Sequence, residues 1–281
     1  MRKNLHQVQV IRKGLDHPEC VNFGPDGRLY AGGIAGQIYV LQPPNYSLRM
    51  LAHTLGGYAG VTVDGDHNIY ACNAFEHKVF RFTQDGQYSV YCEKASDGPT
   101  IWPNYGLFDS EGNYYFSDSG HDYWKPSGRL IRVDRNKSTE SMIGGNWHFS
   151  NGIALSPDDG SIYMIETASA NIIRIPINKG GTISSPELFA QLPGNELDGL
   201  AFAASGNLYV SCYYPNRIFI IHPDKNVELL IEDTTGDFLN QPTNLAFEPN
   251  TTRLFIASLG GMHIAALDVE EKGAPLNYPR L

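Results

Sequence analysis

The chain has 281 residues, 42% of them hydrophobic and 18% charged, with 29 glycines and 17 prolines. This is the composition of a turn-rich globular protein and excludes a disordered or fibrous chain. A net charge of -9 and a pI near 5.4 exclude nucleic acid as the main partner, because binding phosphates needs a basic stripe and none is present.

The N-terminal MRKNLHQVQVIRKGL is basic but has no apolar stretch of signal-peptide length, and no run in the chain approaches a membrane span. The expectation is a cytoplasmic protein without a membrane partner. Cys20, Cys72, Cys92 and Cys212 are widely spaced, lack a CxxC pairing, and fall in or beside strand-like segments. That pattern predicts buried reduced thiols rather than a disulfide framework or a thiolate zinc site.

Along the chain one unit recurs six times. The copies are ECVNFGPDGRLYAGG from Glu19, AGVTVDGDHNIYACN from Ala59, NYGLFDSEGNYYFSD from Asn104, NGIALSPDDGSIYMIE from Asn151, DGLAFAASGNLYVSC from Asp198 and TNLAFEPNTTRLFIAS from Thr243. Each reads as a short apolar strand, a polar turn and a second strand carrying an aromatic. Those aromatics are Tyr30, Tyr70, Tyr115, Tyr163, Tyr209 and Phe255, spaced by 40 to 48 residues. The intervening Pro-Asp-Gly and Ser-Glu-Gly turns supply hairpin chemistry.

Third strands follow at 37–41, 78–82, 129–133, 171–175 and 217–221, and fourth strands at LRMLA, YSVYC, ELFAQ and VELLI. Four antiparallel strands repeated radially predict an all-β, six-bladed β-propeller, with residues 1–281 forming a single domain. The sixth repeat lacks a fourth strand of its own, since EKGAPLNYPRL carries glycine and two prolines. The spare strand QVQVI at 7–11 is therefore predicted to close the last blade.

In a ring, matching positions of the six inner strands converge although they are remote in sequence. The residue before each inner apolar run is Glu19, Ala59, Asn104, Asn151, Asp198 or Thr243. Two carboxylates and two amides at one channel mouth would repel and suffer desolvation unless a cation neutralised them. Because every donor is a hard oxygen, the column predicts one divalent cation, Ca²⁺ first, with Mg²⁺, Mn²⁺ or Zn²⁺ as alternatives. Asp118 and Glu166 end second strands at matching positions and are read as partners of backbone or neighbouring-blade groups.

These residues carry a resemblance. Pro18-Glu19, Pro103-Asn104, SNGIALSPD at 150–158 and LDGLA at 197–201 resemble the signature segments of the regucalcin/gluconolactonase (SMP-30/gluconolactonase/LRE-like) family. The resemblance implies a six-bladed propeller that hydrolyses lactones or related esters. It implies metal binding by Glu19, Asn151 and Asp198, contact of Asn104 with metal or substrate, and Asp198 as general base. Where sugar-lactone members carry an arginine two residues before the asparagine and an aspartate after it, this chain reads Trp102-Pro103-Asn104-Tyr105. Trp102 and Tyr105 at the rim then point to a more apolar substrate. His121, Asp122 and His148 are further substrate-site candidates, the first two in the longer GHDYWKPSG connection. A small-molecule substrate and a monomer or weak homodimer complete the expectation. The competing functions are a phosphotriesterase-like or strictosidine-synthase-like propeller enzyme, or a ligand-binding propeller without catalysis.

Overall fold

Each repeat folds into an antiparallel sheet, and the six sheets stand radially as a six-bladed β-propeller in the computed structural model, which describes residues 2–137, 139–140, 145–178 and 182–281. Blade one is Pro18–Phe23, Leu29–Gly33, Gln37–Gln42 and Ser47–His53. Blade two is Tyr58–Val63, Ile69–Asn73, Lys78–Phe82 and Tyr88–Cys92. Blade four is Ser150–Leu155, Ser161–Glu166, Asn171–Pro176 and Glu187–Gln191, and blade five is Glu196–Phe202, Leu208–Tyr214, Arg217–Ile221 and Val227–Glu232. Blade three has the inner strands Pro103–Phe108, Tyr114–Asp118 and Gly128–Val133, to which two short segments, Thr139–Glu140 and Gly145–Trp147, add at the outer edge. The repeat pattern shows no fourth strand there, and among the described residues these two segments form the outer edge.

Blade six is Pro242–Phe247, Arg253–Ser258 and His263–Asp268, completed by the N-terminal strand Gln9–Lys13. The N-terminal strand thus closes the ring as predicted, two residues later than QVQVI. The shift has a local cause. Asn4 caps a 3-10 turn over Leu5–Gln7, accepting from the His6 N–H while the Gln7 side chain accepts from the Asn4 N–H. That capping box takes Gln7 out of the strand.

The repeated aromatic has a packing reason. Tyr70 of blade two stands edge-on to Phe108 at the end of the blade-three inner strand, with ring centres 5.0 Å apart. Tyr163 meets Phe202 in the same way at 5.0 Å, Tyr209 meets Phe247 at 5.1 Å, and Phe255 meets Phe23 across the seam at 5.1 Å. Blades two, four, five and six therefore insert their anchor rings against the inner strand of the next. Such edge-to-face pairs add about 0.5–1.5 kcal/mol beyond their burial. All four cysteines are buried and unbridged.

The C-terminal segment crosses the channel mouth at which the inner strands end. The Ala274 N–H donates to the Phe202 carbonyl, Asn277 Nδ2 to the Phe108 carbonyl, and Tyr278 Oη to the Phe23 carbonyl. The Pro279 carbonyl accepts from the Gly65 N–H, and Asn277 also reaches Asp159 at 3.0 Å. The segment is thus tied to blades one to five. Beneath it lies a cavity of about 380 Å³, lined by Phe23, Phe108, Phe202, Phe247 and Tyr278 among others. No helix among the described residues is long and apolar enough to cross a membrane.

Two stability predictions follow from the seam. Deleting residues 1–13 removes the outer strand of blade six, so the melting temperature should fall sharply in a calorimetric scan; an unchanged curve would contradict closure by this strand. Phe255→Ala, which empties a fully buried site between blades six and one, should cost about 3–5 kcal/mol by denaturant titration.

Candidate functional site

At the opposite mouth, where the inner strands begin, every one of them slips register against its second strand. The slips fall between Pro18 and Cys20, Tyr58 and Gly60, Pro103 and Gly106, Ser150 and Ile153, Leu197 and Leu200, and Pro242 and Leu245. The residues released from pairing include Glu19, Ala59, Asn104, Asn151, Asp198 and Thr243. β-Bulges re-aim side chains, and here the device repeats at each candidate position. Close approach of the strands also demands small residues. A Cβ on Gly152 would lie 2.8 Å from Gly199 Cα, and one on Gly199 would lie 2.6 Å from Asn244 Cα. The glycines after Asn151 and Asp198 thus let blades four, five and six meet at the axis.

A chain of hydrogen bonds between blades then orients the amides. Asn104 Nδ2 donates to Ser119 Oγ at 3.2 Å, and that hydroxyl donates to the Ser150 carbonyl of blade four at 2.7 Å. Asn151 Nδ2 donates to Thr167 Oγ1 at 3.1 Å, and Thr167 donates to the Leu197 carbonyl of blade five at 2.9 Å. Ser211 Oγ donates to the Thr243 carbonyl of blade six. Asn244 Nδ2 reaches the Glu19 carbonyl of blade one directly at 3.2 Å.

What these anchors leave over are oxygens. Asn151 and Asp198 are 3% and 6% exposed, and Glu19 is half-buried with its Oε2 sealed from solvent. Glu19 Oε2, Asn151 Oδ1, Asp198 Oδ1 and Asn244 Oδ1 are all buried without a hydrogen-bond partner within the protein. Desolvation, then the neighbouring Asp198 charge, drives the Glu19 carboxyl well above its ordinary value. Desolvation pushes Asp198 up to about 7, partly offset by hydrogen bonding from Asn151. Among the described residues no cationic side chain lies beside either carboxyl to offset this.

Two mutually repelling carboxylates and two carbonyl oxygens, all hard donors, fit a cation such as Ca²⁺, Mg²⁺ or Mn²⁺. Among the described residues no three His, Cys, Asp or Glu side chains cluster, so any such site draws its remaining donors from amides.

The other predicted residues are distributed around this mouth and beyond it. The Trp102 N–H donates to Asp118 Oδ1 at 2.6 Å, and its ring stands edge-on to Phe75 at 5.7 Å. Asp118 also accepts from the Ile101 N–H and from buried Arg129, so it holds the segment leading into Asn104. Tyr105 faces away from the site and lines the cavity at the far mouth. The Asp122 carboxylate accepts from the Trp124 and Lys125 N–H groups, which lower its pKa and fold its own turn. His121 is exposed, its N–H held by Ser127. The His148 N–H donates to Glu166 at 2.8 Å.

Three residues went unrecognised in the sequence. Asn244 shares the blade-six bulge with Thr243, which itself turns toward the Pro18 and Ala257 carbonyls. Tyr123 and Tyr213 both lie within electrostatic reach of Asp198. Burial, then Glu196 and Asp198, raises Tyr123 to about 12, and burial, then Glu19 and Asp198, raises Tyr213. The ring of Tyr123 packs on Phe149 at 5.4 Å. Only the position of Asn244 beside the column could have singled it out; Tyr123 lies on the long connection of blade three, and Tyr213 near the end of the second strand of blade five.

The two carboxyls make the cation-free protein pH-sensitive. A carboxyl whose pKa is raised by folding stabilises the fold fully below its unfolded value, near 3.8 for Asp198, and loses that contribution as pH rises through its folded value, about 7. The loss for Asp198 is on the order of 4 kcal/mol at pH 8. Chelator-treated protein should therefore melt at a lower temperature at pH 8 than at pH 5, and added Ca²⁺ should restore it at pH 8 much more than at pH 5. Equal Ca²⁺ effects at both values would contradict the coupling of cation and proton at these groups.

Comparison with known proteins agrees with this architecture. The sequence pattern of the SMP-30/gluconolactonase/LRE-like region matches residues 18–260. Lactonase drp35 of Staphylococcus aureus is 25% identical over 265 residues, spanning 89% of this chain and 81% of its own. The solved structure of a gluconolactonase from Xanthomonas campestris superposes with a TM-score of 0.81 at 19% identity, over 94% of this chain and 89% of that one. A calcium-binding protein, regucalcin, from Agrobacterium tumefaciens superposes with a TM-score of 0.81 at 18% identity, over 97% of each chain. With the signature region running from the first inner strand into the last blade, the chain belongs to the SMP-30/gluconolactonase/LRE-like family.

Proposed function

We propose that the protein is a divalent-cation-dependent hydrolase of lactones, with Glu19, Asn151 and Asp198 holding the cation and Asp198 also serving as general base. The observation that carries this reading is the group of sealed, partnerless oxygens on Glu19, Asn151 and Asp198. Such burial costs several kcal/mol per charge unless something neutralises it. The relatives named lactonase and gluconolactonase, and the one named calcium-binding, support the same reading.

A bound cation would supply a Lewis acid for the scissile carbonyl. The chain's own residues do the rest. The anchored Asn151 amide and the Glu19 carboxylate fix where the carbonyl can sit. Asp198 removes a proton from the attacking water as its oxygen bonds the carbonyl carbon. When the acyl C–O bond breaks, that proton passes to the departing ring oxygen, leaving a hydroxy acid.

The mouth favours an apolar ring substituent. Trp102 with Phe75 and Tyr123 with Phe149 present aromatic surface, whereas the family arginine that would bind a sugar is replaced by Trp102. Aliphatic and aryl lactones should therefore be turned over with higher kcat/KM than gluconolactone, and a chelator should abolish the activity. Asp198→Asn should lower kcat by about 10²–10⁴. Absence of chelator-sensitive turnover across sugar, aliphatic and aryl lactones would remove the hydrolase reading and leave a ligand-binding propeller.

A further inference from the structure

We propose that Asn244, contributed by blade six, is a fourth oxygen ligand of the cation site; this rests on the cation-dependent reading above. Asn244 is 1% exposed. Its amide is fixed, because Nδ2 donates to the Glu19 backbone carbonyl at 3.2 Å. Its Oδ1 is buried and has no partner within the protein.

The same construction is found at Asn151. There the NH₂ group is also committed, through Thr167, to the next blade, and Oδ1 is likewise left partnerless. Two amides built alike, one blade to either side of Asp198, present carbonyl oxygens where two carboxylates need a counter-charge. Leaving a buried amide oxygen unpaired is unfavourable, and a purely structural tie to Glu19 would need only the NH₂ end.

The placement also gives the site a direction. Sealed partnerless oxygens come from blades four, five, six and one, which are contiguous in the ring. Blade two contributes Ala59 at the equivalent position, and Asn104 of blade three, although its NH₂ end is tied to Ser119 much as that of Asn151 is to Thr167, adds no sealed partnerless oxygen. Protein donors therefore occupy one side. The opposite side, beside Phe75 and Trp102, is left for substrate and water, in keeping with a Ca²⁺ ion that takes six to eight oxygens in all.

Calcium titration calorimetry on chelator-treated protein tests this directly, with melting temperatures measured in parallel without Ca²⁺. Asn244→Ala should weaken Ca²⁺ binding by about 10–100-fold relative to the wild-type protein. Asn244→Asp keeps an oxygen at the position while losing the bond to the Glu19 carbonyl. It should bind Ca²⁺ at least as tightly as wild type and show a larger Ca²⁺-induced rise in melting temperature. Wild-type affinity in Asn244→Ala, or equal weakening in both variants, would show a structural tie only and overturn the assignment. Failure of the wild-type protein itself to bind Ca²⁺ would overturn the cation reading and this inference together. If Asn244→Ala does not fold, the Asn244→Asp result alone decides.

Discussion

Six sheets arranged radially bury their faces only if the ring closes, and here closure rests on the pairing of Gln9–Lys13 with His263–Asp268. The contact is small. It consists of antiparallel pairs running from Gln9 opposite Ala266 to Lys13 opposite His263, interrupted by a bulge between Val10 and Arg12. Its consequences extend through the molecule, because the Phe255–Phe23 contact, the Asn244–Glu19 hydrogen bond and the meeting of Glu19 with Asp198 all cross the gap between blades six and one. A strand from one end of the chain thus holds together groups drawn from its whole length.

Within the closed ring the blades communicate through polar groups as well as through packing. Serine and threonine hydroxyls at the ends of second strands pass the hydrogen bonds of Asn104 and Asn151 to the next blade's backbone, while Asn244 reaches it directly. That arrangement satisfies the NH₂ ends and turns the oxygens loose. The NH₂ ends of these amides are satisfied, whereas the oxygens of Asn151 and Asn244, like the neighbouring Ser150 hydroxyl, are left without a protein partner, and such exceptions gather at functional sites. The resulting strain is electrostatic rather than steric, since it resides in two carboxyls held above their ordinary pKa.

The channel's two mouths have opposite chemistry. Apolar inner-strand ends and the C-terminal segment close one of them, with Tyr278 and Asn277 tying the segment down. Carboxylates, amides and an aromatic rim define the other.

Fold class, blade number and strand order were legible in the sequence because the repeat spacing, hairpin turns and anchor aromatics are all short-range signals that recur in phase. Glu19, Asn151 and Asp198 were legible for the same reason, as one position read across six copies. Other features were not. Thr243 occupies the column, yet the bulge after Pro242 turns its hydroxyl toward carbonyls and leaves Asn244 Oδ1 as the oxygen without a partner. Tyr105 adjoins Asn104 in sequence but lines the far cavity, because neighbouring residues of a strand point to different sides. Tyr123 approaches Asp198 from a connection whose course no repeat dictates, and Tyr213 from the end of the Leu208–Tyr214 strand, just past the repeat unit. Sequence alone determined which positions meet at the axis, since periodicity is written in the chain. Only the tertiary structure decided which atoms at those positions face one another, because that depends on bulges and interblade hydrogen bonds that exist only once the ring has closed.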